Sequence, residues 1–217
     1  IIVGAGGHND PLRRARWSES SLKIPIKFVL MEGEFGDAVE LHFGSMAPGG
    51  YAWVFPKERG ANIGLGIQNK FSKGRSLNSL AEGFISNYEG DITFRGAGSL
   101  PMSGSIKQFV KGNHLLVGDS AGMVLPSNGA GITIAMVGGR IAGQTVVSHL
   151  DEGTSLHEYE KEWKRQMGSV MRNSKLSFKI GSWIMRLPDW VLNLAFNPVS
   201  KPFVWRFITC RKPFFIF

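Results

Sequence analysis

The stretch from His114 to Ile132 leaves this chain few folds to choose from. His114-Leu115-Leu116-Val117 reads as a short buried strand, and it runs without a spacer into Gly118-Asp119-Ser120-Ala121-Gly122. A second glycine-rich segment, Pro126-Ser127-Asn128-Gly129-Ala130-Gly131-Ile132, then feeds a helix expected over about 131–150. A strand thus delivers one carboxylate to a loop at the amino end of a helix. Asp119 can accept hydrogen bonds from polyol hydroxyls, and the amides of Gly129, Gly131 and Ile132 are expected to face outward, free, at the positive end of the helix dipole. That combination suits a flavin, with the carboxylate on the ribityl chain and the amides stabilising negative charge on the reduced ring. Gly131, Ala135, Gly138 and Ala142, with Gly139 and Gly143 beside them, form a small-residue stripe that lets the helix backbone press against a neighbour. The same stretch is long enough to span a bilayer. Against that, Arg140 near its centre would cost roughly 2.5–3.5 kcal/mol there, and Gln144 adds to it.

Upstream, residues 29–94 read mainly as antiparallel sheet. Val39, Leu41 and Phe43, then Tyr51, Trp53 and Phe55, then Ile63, Leu65 and Ile67 each recur with the period of two that marks a strand. Gly49-Gly50 and Lys57-Glu58-Arg59-Gly60 supply the turns. A helix is expected over 77–87, where Leu77, Leu80, Phe84 and Tyr88 keep helical spacing. Another is expected to start near Ser155, which stands at capping-box spacing from Glu158, with Leu156, Tyr159, Trp163, Met167 and Val170 on its apolar face. Period two puts Tyr51, Trp53 and Phe55 on one face, either an aromatic wall for a long apolar ligand or an ordinary aromatic core face.

The 217 residues are 43% hydrophobic, enough to bury a sizeable core, and the single cysteine, Cys210, excludes an internal disulfide and a cysteine metal cage. A reducing compartment fits that count. Charge is uneven: residues 161–217 hold eleven Lys and Arg against Glu162 and Asp189, a net +9, leaving −1 for the rest of a chain whose total is +8. Pro188, Pro198, Pro202 and Pro213 break this tail into short helical pieces. Within it Trp183, Trp190, Phe196, Phe203, Trp205, Phe207 and Phe214-Phe215-Ile216-Phe217 interleave with Lys179, Arg186, Lys201, Arg206, Arg211 and Lys212. The mixture suits the headgroup zone of an anionic bilayer, and equally a helical cap with its aromatics packed inward. No nucleic-acid module is read in its spacing.

The opening Ile1-Ile2-Val3-Gly4-Ala5-Gly6-Gly7 starts like a dinucleotide fingerprint, but Asn9 stands where the third glycine belongs and Pro11 is expected to interrupt the helix. With no charged leader or cleavage site read there, the chain is expected to begin inside a strand, as part of a longer protein.

Three ordered motifs resemble those of the geranylgeranyl reductase family of the flavoprotein hydroxylase superfamily. Gly4-Ala5-Gly6-Gly7-His8-Asn9-Asp10-Pro11-Leu12-Arg13 is similar to the G-A-D-G-x-x-S-x-x-R loop found in the middle of such proteins, with Gly6 for the Asp and Asp10 for the Ser. An ordinary strand-to-turn connection reads that segment as well. Tyr51-Ala52-Trp53-Val54-Phe55-Pro56, followed by Gly64-Leu65-Gly66, matches the family's Y-x-W-x-F-P and G-x-G, and Gly118-Asp119 its flavin-binding G-D motif.

The resemblance implies an α+β fold: an antiparallel substrate-binding sheet, the strand-loop-helix part of an FAD-binding domain and a helical carboxy-terminal region. The segments expected are 1–24 and 106–150 for the FAD domain, 25–105 for the sheet and 151–217 for the basic, aromatic region. It implies FAD as cofactor, held by Gly118, Asp119, Gly129, Gly131 and Ile132, and an isoprenoid lipid against Tyr51, Trp53, Phe55, Gly64 and Gly66. The activity implied is reduction of C=C bonds in polyprenyl chains, fed by NADPH or ferredoxin, in a cytoplasmic protein peripherally attached to an anionic membrane. No catalytic residue and no metal ligand is read from the sequence. A flavin monooxygenase or halogenase on the same scaffold, and a membrane-surface binding module without catalysis, remain as alternatives.

Overall fold

A computed structural model describes residues 1–18, 22–195 and 209. In chain order the elements are β1 (Ile2–Gly4), α1 (Pro11–Arg16), β2 (Lys23–Glu32), β3 (Glu40–His42), β4 (Tyr51–Lys57), β5 (Gly60–Gly66), α2 (Leu77–Ile85), β6 (Asp91–Pro101), β7 (Val110–Lys111), β8 (His114–Leu116), α3 (Ile132–Glu152), α4 (Glu158–Ile184) and α5 (Asp189–Ala195). The mixture of an antiparallel sheet with helices is the α+β class expected. The described residues form two compact units, one built mainly from 1–18, 22–23 and 100–180, the other from 24–99 and 181–195.

The first unit is built on a three-stranded sheet in the order β1-β8-β7, with β1 and β8 parallel and β7 antiparallel to β8. Leu115, Leu116, Phe109, Met123, Ile141, Tyr159 and Trp163 are its buried centre. Of the small residues on α3, Gly138 needs to be small: a Cβ there would lie 2.7 Å from the Met123 sulfur and 3.5 Å from the Trp163 ring. Gly143 faces open space. The apolar residues from Leu156 to Val170 pack into this core as their spacing predicts. The capping box does not form, because Ser155 Oγ accepts instead from the His157 amide at 3.3 Å and the helix starts only at Glu158.

Pro11 does not interrupt a helix. It is the first residue of α1, where its missing N–H costs nothing. Asp10 caps that helix, its Oδ1 accepting the Arg13 amide at 3.0 Å while Oδ2 accepts the Gly6 amide at 2.6 Å. Asp10 is 3% exposed, so its loss strands two amides that water reaches poorly. Asp10→Ala is expected to cost about 2 kcal/mol in chemical denaturation, and Asp10→Ser to recover part of it by restoring the cap.

The second unit is a five-stranded sheet in the order β3-β4-β5-β2-β6. From β3 to β2 every pairing is antiparallel, and β4 and β5 join through a tight turn at Glu58-Arg59. One face, with Val29, Met31, Ala52, Val54, Ile63 and Leu65, packs against Leu80, Ala81, Phe84 and Ile85 of α2. Ser76 caps α2, and Tyr88, beyond its end, still packs on this cluster. The sheet is larger than sequence periodicity marked: β2 begins at Lys23 and β6 adds a long edge strand. Residues 181–195 belong to this unit, where the Asp189 carboxylate accepts the Ser45 amide at 2.9 Å and the Ser45 hydroxyl at 2.6 Å. Cys210 and the aromatic residues from Phe196 onward lie outside the described residues.

Candidate functional site

In the first unit two loops meet at the carboxyl ends of two parallel strands, the place where open α/β sheets bind ligands. β1 and β8 run in register, Gly4 opposite Leu116. Beyond them the chain makes short 3-10 turns, at Gly7–Asn9 and at Gly118–Ala121. Gly118 has a φ of 66°, a conformation a side chain resists, and this lets the chain swing from strand to loop just before Asp119. Ser120, wholly buried, ties the strands together: its Oγ accepts the Val117 amide at 3.2 Å and lies 2.5 Å from the Gly4 carbonyl. The buried Arg13 donates from Nη1 to the Ser120 carbonyl at 2.8 Å and the Asp119 carbonyl at 3.5 Å. The guanidinium of α1, the helix that follows the first loop, therefore fixes the backbone of the second.

Asp119 itself is half-buried, and its carboxylate accepts no hydrogen bond from any described residue. Burial pushes its pKa up, and the nearby His8 pulls it partly back. For His8, burial and then Lys23 lower the pKa, and Asp119 opposes them. The helix start converges on the same carboxylate, since a Cβ on Gly131 would lie 3.4 Å from Asp119 Oδ1. The amides of Gly131 and Ile132 find no partner among the described residues, and Ile132 is 82% exposed. Gly129 differs from its expected part. Its amide donates to the Leu125 carbonyl at 2.8 Å, and with a φ of 73° it turns the loop rather than offering a donor. Among the described residues, what remains is one unpaired acceptor beside two unpaired donors and a positive helix end. That set is chemically suited to a molecule with hydroxyl donors on one side and a carbonyl or anionic edge on the other.

The aromatic residues of the second unit share the sheet face opposite α2. Tyr51 pairs with Gly66, Trp53 with Gly64 and Phe55 with Asn62, while across β5 the same positions meet Ile26, Phe28 and Leu30. The rings form a row: Phe43 to Tyr51 at 6.0 Å, Tyr51 to Trp53 at 5.8 Å, and Trp53 stacked on Phe55 at 5.8 Å. Glycine is what lets the Trp53 ring lie down. A Cβ on Gly64 would sit 2.6 Å from Trp53 Cζ2 and 2.5 Å from Phe28 Cβ. Trp53 is consequently 8% exposed and is held by its indole N–H on Asn62 Oδ1 at 2.8 Å, while Tyr51 and Phe55 are half-buried. The face is apolar along its length with Asn62 as a fixed polar point.

Sequence reading passed over His8, Ser120 and Asn62. Arg13 was visible as the closing residue of its motif, but His8 faces Asp119 across more than a hundred positions and left no local signal. Among the described residues no helix is long and apolar enough to cross a membrane.

Residues 23–97 match the model of the geranylgeranyl reductase catalytic domain. Over 216 residues the chain is 32% identical to a digeranylgeranylglycerophospholipid reductase of Methanothrix thermoacetophila, covering 93% of this chain and 54% of that protein. Its counterpart in Methanocaldococcus jannaschii is 37% identical over 192 residues, 81% of this chain and 48% of the relative. The chain thus spans about half the length of these relatives. A crystal structure of a geranylgeranyl bacteriochlorophyll reductase-like protein from Thermoplasma acidophilum superposes with a TM-score of 0.79 at 25% identity, over 93% of this chain and 54% of the other. A flavin-dependent halogenase from Brevundimonas sp. BAL3, at 16% identity and a TM-score of 0.63 over 98% of this chain and 49% of the other, shares the fold. With its catalytic-domain match on the aromatic sheet and relatives of one kind aligned along most of its length, the chain belongs to the geranylgeranyl reductase family.

Proposed function

We propose that this chain is part of an FAD-dependent reductase that hydrogenates C=C bonds in the geranylgeranyl chains of a membrane lipid or a related isoprenoid. The observation that carries the reading is the row of rings from Phe43 to Phe55, with Trp53 laid over Gly64 of β5, within the segment that matches the family's catalytic domain. A polyprenyl chain offers only apolar contacts and rigid kinks at its double bonds, and a flat aromatic face answers both. The names of the archaeal relatives point to the same substrate class.

The Asp119 loop fits a flavin on its own terms. The unpaired carboxylate of Asp119 would accept from ribityl hydroxyls, and the unpaired amides of Gly131 and Ile132 would hold the electron-rich edge of the ring. Bound FAD would supply the hydride, and a proton on the second alkene carbon completes the two-electron reduction. An isolated alkene has no carbonyl to polarise, so the protein's share is to align the chain and keep water out. NADPH or a ferredoxin would restore the reduced flavin.

The whole protein, with its flavin reduced under anaerobic conditions, is expected to reoxidise on adding a geranylgeranyl lipid, with a mass gain of two hydrogens per bond. Flavin that stays reduced before every polyprenyl lipid overturns the proposal. Oxygen-dependent turnover of an aromatic substrate would replace it with a monooxygenase or halogenase.

A further inference from the structure

In the second unit two distant segments form a cationic surface that none of the site residues shares. The Phe71 ring is approached by Lys70 Nζ at 4.7 Å from its centroid and by the Arg186 guanidinium at 5.7 Å. Lys73 and Arg75 follow in the same tight loop, which closes through Ser72 N–H to the Asn69 carbonyl and Arg75 N–H to the Ser72 carbonyl, both at 3.1 Å. Arg75 Nη2 also donates to the Ser45 carbonyl at 2.7 Å, and Ser45 is the residue that Asp189 grips. Lys70 and Arg186 thus flank one ring, Lys73 and Arg75 share its loop, and the Asp189 carboxylate, its oxygens taken up by the Ser45 amide and hydroxyl, ties the helical segment to the residue that Arg75 holds. Beside them Trp183 is 64% exposed and Trp190 is 70% exposed. Large exposed indoles next to exposed cations are poor design for a surface that meets only water.

We infer that this patch, Lys70, Lys73, Arg75 and Arg186 with Trp183 and Trp190, docks the protein on an anionic lipid bilayer. Charge complementarity selects the occupant: cations reach lipid phosphates while indoles settle at headgroup level. The Asp189–Ser45 clamp fixes the helical segment to the loop beforehand, so little ordering is left to binding. The inference is independent of the catalytic reading, because docking needs neither flavin nor substrate.

The test is co-sedimentation of the full chain with phosphatidylglycerol-containing vesicles and with pure phosphatidylcholine vesicles, at low and high salt. Binding is expected on the anionic vesicles and is expected to weaken with salt. A K70Q/K73Q/R186Q variant should bind about a hundredfold more weakly, about fivefold per cation, with unchanged circular dichroism. Brominated acyl chains should quench tryptophan emission in the parent and less in W183F/W190F. Equal binding to neutral vesicles overturns the inference, as does full binding by the triple variant, including the case where removing residues 196–217 alone abolishes it. Retention on RNA without binding to vesicles overturns it as well.

Discussion

Asp119→Ala is expected to weaken FAD binding by the whole protein about tenfold to a hundredfold while leaving the apo fold at least as stable as the parent. The two effects come from one fact: a half-buried carboxylate without a hydrogen-bond partner among the described residues. Hydrogen bonds to a charged group contribute about 1.5–3 kcal/mol, which sets the loss of affinity. The stability effect follows from linkage. Burial raises the Asp119 pKa above its ordinary 3.8. A carboxyl raised on folding favours the folded chain while it is protonated, and it becomes a penalty as pH rises from the unfolded pKa through the folded one. Asp119→Asn removes that penalty. The asparagine variant should therefore melt at or above the parent temperature at pH 7.5, and the gap should close as pH falls toward 4. Differential scanning calorimetry across pH reads the second effect, and flavin fluorescence reads the first. A variant with parental FAD affinity would remove Asp119 from the flavin site.

Much of this arrangement was legible because it is local. The strand-loop-helix around Asp119 rests on a buried strand, a positive-φ glycine and a helix start within twenty residues, and each leaves its own mark in the sequence. The period-two strands were visible for the same reason. The second half of β6 was not, because Arg95-Gly96-Ala97-Gly98-Ser99 carries none of the β-branched or aromatic residues that announce a strand, and Gly96 is filled from β2 by the Phe28 ring. Gly129 misled for a subtler reason. A glycine ahead of a helix reads as a free donor, and only the closed turn from Leu125 shows the amide already used. Pro11 misled in the opposite sense, since proline breaks a helix from inside but opens one at its first position. The cation cluster at Phe71 joins residues more than a hundred positions apart, so the sequence showed a basic tail without showing what completes it.

The sheet's aromatic face makes the sharpest structural demand, and Gly64→Ala is expected to cost about 3 kcal/mol of stability. The new methyl would lie 2.5 Å from Phe28 Cβ, 2.6 Å from Trp53 Cζ2 and 2.7 Å from the Lys27 carbonyl oxygen. Two of these neighbours are side chains in a packed row and the third is backbone of the adjacent strand, so no flexible tip can give way. Relieving the Trp53 clash means swinging its ring off β5, which breaks its bond to Asn62 and separates it from Phe55, and the clashes with Phe28 and the Lys27 carbonyl still force β2 away. Gly98→Ala is the control on the edge strand: its methyl would meet Ile26 at 3.8 Å, ordinary contact, and should change stability by under about 1 kcal/mol. Urea denaturation of the two variants side by side gives the comparison, and near-ultraviolet circular dichroism reports the tryptophan. If Gly64 serves only packing, Trp53→Phe should leave the affinity for a geranylgeranyl lipid at the parent level. If the ring row is the floor beneath the polyprenyl chain, Gly64→Ala and Trp53→Phe should both weaken that affinity, and the second should do so with a smaller loss of stability.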